Sequence, residues 1–267
     1  MREPLLQIDK LEVVYKRVIT AVQGVTLSVA KRQIVALLGT NGAGKTTTLR
    51  AISGFLGIDD AHVTEGTISF EGTRLENLPP HYITGRGVVL VPEREKVFPN
   101  LTVAENLSVS VARAATVAER QHDEDRIYYF FPRLVELRQH IGGLLSGGER
   151  QMMAIAGALM CRPKLLLVDE LSLGLAPVVV EDLTRRLMAI RDEMGIAILL
   201  VEQSAAVALE IADYTYVMEN GRIVLDGDRE RLKSHQDVQE FYLGQAGGER
   251  RSYRDVKQYR RSRRWYG

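Results

Sequence analysis

The sequence predicts an α/β fold built on a parallel β-sheet, and three observations support this prediction. Continuous aliphatic runs at residues 34–38, 165–168 and 196–201 are typical of buried strands. The segment 178–194 between the last two runs has helical periodicity, and strands that alternate with helices at this spacing indicate βαβ units. A glycine-rich turn follows the first run, as expected where a strand leads into a ligand-binding helix.

Other segments predict strands outside this parallel sheet. Residues 5–15 and 22–29 alternate apolar and polar side chains, as half-buried strands do. Residues 67–70 and 87–91 are shorter candidates, and the dipeptide Asn220–Gly221 between apolar flanks indicates a hairpin. The first hundred residues are therefore predicted to be mainly strands and turns.

Three segments predict helices apart from the one between the parallel strands. Residues 45–52 follow the glycine-rich turn and end at Gly54. Residues 106–120 and 125–139 are charged, with apolar side chains at helical spacing. These two segments predict a helical region inserted into the α/β fold.

Composition excludes several classes of protein. The chain has 267 residues, 45% of them hydrophobic and 26% charged, which is the mixture of a globular protein. The longest apolar stretch, residues 152–161, has ten residues, whereas a membrane span needs about 20. The N-terminus carries no apolar signal region, so we expect a cytosolic protein. A single cysteine, Cys161, excludes an internal disulfide and a cysteine-built zinc site.

The glycine-rich turn fits the G-x-x-x-x-G-K-[ST] P-loop pattern over residues 39–46. Its glycines allow close approach of backbone N–H groups to phosphates, and the following helix adds positive partial charge. Lys45 is expected to reach the β- and γ-phosphates, and the Thr46 hydroxyl to bind Mg²⁺. The alternative is a glycine turn that only caps a helix. The predicted nucleotide-binding residues of this segment are Gly39, Asn41, Gly42, Ala43, Gly44, Lys45, Thr46 and Thr47.

Two acidic residues, Asp169 and Glu170, end the aliphatic run at 165–168. A parallel strand brings its C-terminal residues to the ligand crevice, so Asp169 is predicted to hold Mg²⁺ and Glu170 to polarise the attacking water. Taken alone, the segment is equally well a buried strand that ends at an acidic turn. A P-loop about 125 residues earlier favours the catalytic interpretation.

A third motif, Leu-Ser-Gly-Gly-Glu-Arg-Gln at residues 145–151, lies shortly before these acids. In this order after a P-loop, it resembles the signature motif of ATP-binding cassette (ABC) ATPases, and the resemblance covers roughly residues 5–243. It implies a P-loop NTPase core with an N-terminal antiparallel β-subdomain and an inserted α-helical subdomain. It also implies that ATP and Mg²⁺ are bound between two subunits arranged head to tail. Because a helix N-terminus attracts anions, the signature residues Ser146, Gly147, Gly148 and Glu149 would face the γ-phosphate held by the partner.

The resemblance assigns further roles residue by residue. Tyr15 matches the aromatic residue that stacks on adenine. Glu93, at a metal-sensing position, stands where most members have glutamine, and Gln203 stands where most have a histidine that contacts the γ-phosphate. Leu171 and Ala176 replace the usual proline and aspartate. We expect catalysis by Glu170, Gln203 and Lys45, with turnover below the family norm because Gln203 cannot carry a proton.

Four segments narrow the resemblance to the LivF family, the ATPase subunits of branched-chain amino acid importers. They are residues 91–93, 97–107, 173–177 and 201–203. The resemblance implies a LivG-like second ATPase in a head-to-tail heterodimer, two transmembrane permeases and, indirectly, an external solute-binding protein. It also implies peripheral attachment to the cytoplasmic face of the membrane. The permeases are expected to contact residues 93–101, with Phe98 as an apolar contact or, alternatively, as part of the helical core.

Other functions stay open at this point. Related importers carry urea or short amides, a soluble ABC ATPase could act on nucleic acid or ribosomes, and the departures at the site allow a regulator without useful turnover. One cassette without a long coiled coil argues against a nucleic-acid role, so no nucleic-acid partner is expected.

The predicted domain organisation is an ABC ATPase domain over residues 1–246, with its helical subdomain at about 96–160, followed by a basic tail at 247–267. Residues 249–267 have a net charge of +6, so the rest of the chain has −5. Aromatic residues interleave with the arginines of this tail. A solvated tail, contact with anionic lipid or partner subunits, and nucleic-acid binding are the alternatives.

Overall fold

The computed structural model describes residues 4–93, 97–110, 116–235 and 238. It has two β-sheets, as the sequence predicts. The four-stranded sheet is antiparallel with strand order β2-β1-β4-β5, and the six-stranded sheet has order β10-β9-β3-β8-β7-β6. The strands are β1 (Pro4–Tyr15), β2 (Ile19–Ala30), β3 (Ile34–Gly39), β4 (Ala61–Phe70), β5 (Thr73–Arg74), β6 (Val88–Val91), β7 (Leu165–Asp169), β8 (Ala197–Glu202), β9 (Tyr214–Glu219) and β10 (Arg222–Gly227).

The helices lie mainly on the connections of the larger sheet and in an insertion between β6 and β7. They are α1 (Lys45–Ser53), α2 (Pro80–Gly85), α3 (Val103–Val109), α4 (Val117–Phe130), α5 (Pro132–Glu136), α6 (Gly147–Met160), α7 (Pro177–Met194), α8 (Ala205–Ile211) and α9 (Arg229–Ser234). Within the described residues, no helix is long and apolar enough to cross a membrane.

The central strands of the larger sheet bring the sequence motifs to the same edge of the sheet. Strand β3 pairs in parallel with β8 on one side and β9 on the other, and β7 pairs in parallel with β8. All residues of β3, β7 and β8 are buried, which explains their continuous aliphatic sequences. The C-terminal ends of these three strands therefore meet at one edge of the sheet.

Two hydrophobic clusters both include residues of this sheet. In the first cluster α3–α7 pack against the sheet, and in the second the antiparallel sheet and α1 pack against it. Alternate β3 residues belong to different clusters, with Ala36 in the first and Leu37 in the second. The sheet therefore fixes both the helical insertion and the antiparallel sheet relative to the same strand ends.

The prediction of one helix over 106–120 is wrong. Helix α3 begins at Val103 and ends before Ser110, and α4 begins only at Val117. Thr102 and Thr116 each cap a separate helix with a capping box, so each starts a new helix. Residues 111–115 lie outside the described part of the chain.

The prediction of one helix over 125–139 is also wrong. Helix α4 ends at Phe130, and α5 starts with Pro132 at its first turn. Proline lacks a backbone N–H and disfavours helical backbone at the residue before it, which ends the first helix here. Strands β2 and β4 also begin earlier than predicted, at Ile19 and Ala61.

Candidate functional site

The P-loop leads from the buried strand β3 into α1, and its glycines are required by close contacts. A Cβ on Gly39 would lie 2.4 Å from the Met218 carbonyl oxygen. Gly44 has φ of 105° and forms the N-cap of α1, with no side-chain cap bonded to the helix. The first N–H groups of α1 therefore lack a side-chain partner at the cap, as a phosphate site requires.

Lys45 is buried and its ammonium group contacts three acceptors. It donates to the carbonyl oxygens of Gly39 at 2.9 Å and Thr40 at 3.2 Å, and it forms a 3.1 Å ion pair with Glu170. Glu170 has φ of 51°, which is rare for a non-glycine residue and marks a tight turn after β7. The structure therefore brings together two of the three predicted catalytic side chains.

Asp169 lies beside the P-loop helix at the end of β7. The Thr46 hydroxyl donates to its Oδ1 at 3.2 Å. Burial raises the pKa of Asp169 to about 6, and the negative charges of Glu170 and Glu93 add to this, while the Thr46 hydrogen bond opposes it. A divalent cation at this point would stabilise the ionised carboxylate.

These residues surround a cleft of about 520 Å³. Its lining also includes Glu93, so the structure places this predicted metal-sensing residue beside the phosphate loop. The lining residues are Ala21, Asn41, Gly42, Ala43, Gly44, Lys45, Thr46, Thr47, Glu93, Glu170 and Leu173. The cleft therefore gathers most of the predicted nucleotide-binding residues.

Four predicted residues of this site are absent from the lining of the cleft: Gly39, Asp169, Tyr15 and Gln203. Tyr15, at the end of β1, shares a hydrogen bond between its hydroxyl group and that of Thr47 at 3.1 Å. Gln203 is exposed, directly after β8. Stacking of Tyr15 on adenine and contact of Gln203 with a phosphate stay predictions.

The predicted hairpin of β9 and β10 is confirmed, and its turn supports the P-loop. The Gly221 N–H donates to the Ala43 carbonyl at 2.8 Å, and the Gln23 N–H donates to the Gly221 carbonyl at 2.7 Å. A Cβ on Gly221 would lie 2.7 Å from the Ala21 carbonyl oxygen. Sequence analysis predicted the turn from its Asn-Gly signal, but nothing in that local signal indicates its contact with the P-loop.

The signature residues form an exposed helix start that is separate from this cleft. Ser146 caps α6, its hydroxyl accepting from the Glu149 N–H at 3.3 Å while Glu149 accepts from the Ser146 N–H at 2.9 Å. Glu149 also pairs with Arg133 at 3.0 Å. The Ser146 hydrogen bond lowers the pKa of Glu149, so its negative charge is held by the capping box.

The signature glycines pack against the segment that follows Glu170. A Cβ on Gly147 would lie 3.2 Å from Leu175, and one on Gly148 would lie 2.7 Å from Val179. None of the four predicted signature residues lines the cleft that holds Lys45. The described chain therefore contains two half-sites that do not meet within it.

The segment predicted to contact permeases is only partly described, because residues 94–96 lie outside the described part of the chain. Phe98 is 59% exposed, so the alternative that it belongs to the helical core is wrong.

Sequence analysis gave no role to Glu202, which the structure buries completely at the end of β8. Both of its carboxylate oxygens bind Ser172, at 2.9 and 2.7 Å. The available signal was an acidic residue that ends a continuous aliphatic run, the same pattern that revealed Asp169.

The donor set beside the P-loop fits Mg²⁺. This ion prefers hard oxygen ligands and is usually held by one or two protein groups together with waters and phosphates. The adjacent oxygens of Thr46 and Asp169 provide such groups, whereas no cluster of three or more histidine, cysteine or acidic side chains suited to a metal occurs in the described residues.

Comparison with known proteins agrees with this geometry. Residues 22–172 match the ABC transporter family. The chain is 40% identical over 240 residues to the high-affinity branched-chain amino acid transport ATP-binding protein BraG of Pseudomonas aeruginosa, covering 90% of this chain and 100% of BraG. It is 35% identical to the probable branched-chain amino acid transport ATP-binding protein LivF of Archaeoglobus fulgidus, over 90% of this chain and 99% of that protein.

The fold is also similar to that of solved structures. The ADP conformation of MJ1267, an ATP-binding cassette of an ABC transporter, superposes with a TM-score of 0.78 at 28% identity, covering 91% of this chain and 99% of MJ1267. The predicted fold class and the resemblance to LivF are both confirmed. The chain belongs to the ABC transporter family, as one of its ATP-hydrolysing cassettes.

Proposed function

We propose that this chain powers an importer of branched-chain or closely related amino acids, acting at the cytoplasmic face of the cytoplasmic membrane. The observation that carries the proposal is the group of buried Lys45, Asp169 and Glu170 with the half-buried Thr46 at one edge of the sheet. The 40% identity to BraG, over all of BraG and 90% of this chain, supports the cargo, because BraG is a branched-chain amino acid transport ATP-binding protein.

The separation of the two half-sites supports pairing with a second cassette. The Ser146 end of α6 is exposed and does not line the P-loop cleft of its own chain, so we infer that it binds the phosphate of a partner's nucleotide. The resemblance favours a LivG-like ATPase as a head-to-tail partner, with two permeases docked near Phe98. An external solute-binding protein would act through the permeases.

The side chains in the cleft suggest how nucleotide engages the site. Phosphate oxygens would draw the Lys45 ammonium from the loop carbonyls and from Glu170, because charge-assisted bonds to phosphate are strong. Glu170 is then free to orient water and accept its proton. Thr46 and Asp169 would hold Mg²⁺, which supplies positive charge to the phosphates.

Two departures from the family pattern adjust this chemistry. Gln203 can donate a hydrogen bond to a phosphate but cannot carry a proton. Glu93 adds negative charge to the cleft, where it already raises the pKa of Asp169 together with burial and Glu170. We expect hydrolysis at this site to be slower than is usual in the family.

We also propose that the helical subdomain spans about residues 96–160 and that the ATPase domain ends at residue 246. The basic tail lies outside the described residues, and we propose that it contacts anionic lipid headgroups or partner subunits. Removing residues 247–267 would then lower recovery of the chain with membranes, without changing its nucleotide affinity.

The test is a tagged pull-down of the full chain from gently solubilised membranes, followed by mass spectrometry. A second ATPase and two multi-spanning proteins are expected, and vesicles that contain this assembly should take up labelled leucine with wild-type chain but not with Glu170→Gln. Uptake of urea or an amide instead of leucine would overturn the cargo. Recovery with RNA or ribosomal proteins, and without permeases, would overturn the importer.

A further inference from the structure

Glu202 occupies the centre of the sheet edge that carries the site. It ends β8, which lies between β3 with its P-loop and β7 with its acidic end. Its side chain is completely buried. A buried carboxylate at this point has a large desolvation cost, so the contacts that compensate for it indicate what it holds in place.

Those contacts join two segments of the chain. Oε1 accepts from the Ser172 N–H at 2.9 Å, and Oε2 accepts from the Ser172 hydroxyl at 2.7 Å. Ser172 is two residues after Glu170, and Glu202 itself directly precedes Gln203, so this side chain joins the turn after Glu170 to the segment that carries Gln203.

No lysine, arginine or histidine in the described ranges forms an ion pair with Glu202. Its hydrogen-bond partners are the backbone N–H and the hydroxyl group of Ser172, so the contact holds the backbone of the turn after Glu170. The Glu170 turn needs such support, because a glutamate with φ of 51° persists only where its surroundings hold it.

We propose that Glu202 is a positioning residue for ATP hydrolysis: it ties the Glu170 turn to the Gln203 segment and so fixes the general base relative to the phosphate site. This inference rests on the proposed role of Glu170 in hydrolysis. Glu202 itself does not line the cleft, and its side chain hydrogen-bonds to Ser172 rather than to a P-loop residue. Its loss should therefore reduce turnover and leave nucleotide binding intact.

The experiment compares full-length variants in the assembly isolated with the tagged chain. Glu202→Ala removes both bonds to Ser172 and is expected to lower kcat about 10- to 100-fold, because a small displacement of a catalytic group can cost about 100-fold. The Kd for MgATP, measured with a fluorescent ATP analogue on the chain alone, should change less than about 2-fold, since the P-loop contacts are untouched. Hydrogen exchange of residues 171–176 should accelerate in the same variant.

Glu202→Gln should rescue most of the rate. Its amide oxygen can accept from the Ser172 N–H, and its NH₂ can donate to the Ser172 hydroxyl, which is free to turn and accept. We expect a kcat within about 5-fold of wild type for this variant. If Glu202→Ala does not fold, Ser172→Ala replaces it and should lower kcat by a smaller factor, again without a change in Kd.

Asp213→Asn is the matched control. Asp213 accepts from the Ile34 N–H at 2.8 Å, so it also binds a backbone segment of the sheet, but at the start of β3 rather than at the site. This variant should keep the wild-type kcat. A normal kcat in folded Glu202→Ala or Ser172→Ala, or a Kd that rises in parallel with the loss of kcat, would overturn the positioning role. Absence of hydrolysis by the wild-type assembly would instead overturn the proposed function on which it rests.

Discussion

The phosphate loop and the signature helix start are both anion sites, but the chain builds them in opposite ways. Lys45 and Glu170 are buried, with 5% and 8% of their side chains exposed, and they neutralise each other within the fold. Arg133 and Glu149 at the signature are 51% and 18% exposed. The first region balances its charges within one chain, whereas we propose that the second acts on a nucleotide bound by another subunit, so substitutions in the two regions should separate binding from turnover.

The largest effect is expected for Glu170→Gln. A general base typically contributes 10²- to 10⁴-fold, so kcat of the assembly should fall by about 10³-fold, or roughly 4 kcal/mol, while ATP still binds. ATP hydrolysis and fluorescent-nucleotide binding measure the two effects. Glu71→Gln, which removes an exposed ion pair to Lys164, is the control. An unchanged rate in Glu170→Gln would refute the role of Glu170 as base.

The second effect concerns stability without nucleotide. Burial raises the pKa of Asp169 from its ordinary 3.8 to about 6, so the folded chain binds a proton more readily than the unfolded chain. This contribution to stability is fully present below the ordinary pKa and is lost as pH rises through about 6. The ionised form should therefore destabilise the nucleotide-free chain at pH 8 by about 3 kcal/mol.

Asp169→Asn removes this penalty. Without Mg²⁺ and nucleotide, its Tm at pH 8 should exceed that of wild type by roughly 5 °C, and the difference should shrink as pH falls to about 4. Thermal unfolding between pH 4 and 8 measures it. An equal Tm at pH 8 would contradict the raised pKa. With MgATP present, the same variant should lose the additional stabilisation that wild type gains.

The third effect tests the signature. Ser146→Ala removes a cap and a group aimed at the partner's phosphate, so turnover should fall about 10-fold while ATP binding by the chain alone is unchanged. Thr116→Ala is a closely matched control, because Thr116 and Glu119 form the same type of capping box at the start of α4. Both substitutions should cost about 1 kcal/mol of stability. Equal losses of turnover would show that helix stability alone explains the effect.

The smallest effect is expected for Arg133→Gln. Its ion pairs with Glu136 and Glu149 are exposed, and exposed pairs contribute little. The Tm should change by less than about 1 °C, as for Lys164→Gln, and the Ser146 capping box should keep Glu149 in place. A large loss of turnover at unchanged Tm would mean that Arg133, rather than the capping box, controls the charge of Glu149.

Sequence predicted the parts of the site that depend on local patterns. The strands β3, β7 and β8 can be predicted from their aliphatic sequences, because a strand that is buried on both faces contains few polar residues. The P-loop and Asp169 follow such runs directly. The break before α4 could have been predicted, since Thr116 precedes Glu119 by three residues, which is the capping-box signal. The break at Phe131 could have been predicted from Pro132, which disfavours helical backbone at the residue before it.

Contacts between distant segments could not be predicted from local sequence patterns. Glu202 and Ser172 are 30 residues apart, and their contact depends on β7 and β8 being neighbours. Gly221 reaches Ala43 only because β9 pairs with β3. Nothing in the residue types of Gly221 or Glu202 specifies the distant partner, since strand order follows from the packing of the whole sheet.

The support that Gly221 gives to the P-loop has a consequence for synthesis of the chain. The phosphate-binding loop is made early, but its carbonyl at Ala43 gains its donor only after residue 221 has left the ribosome and β9 has joined β3. Until then, the P-loop of a nascent chain follows a strand, β3, that has not yet paired with β9. We therefore expect ATP to stabilise the P-loop fully only in chains that extend beyond residue 221.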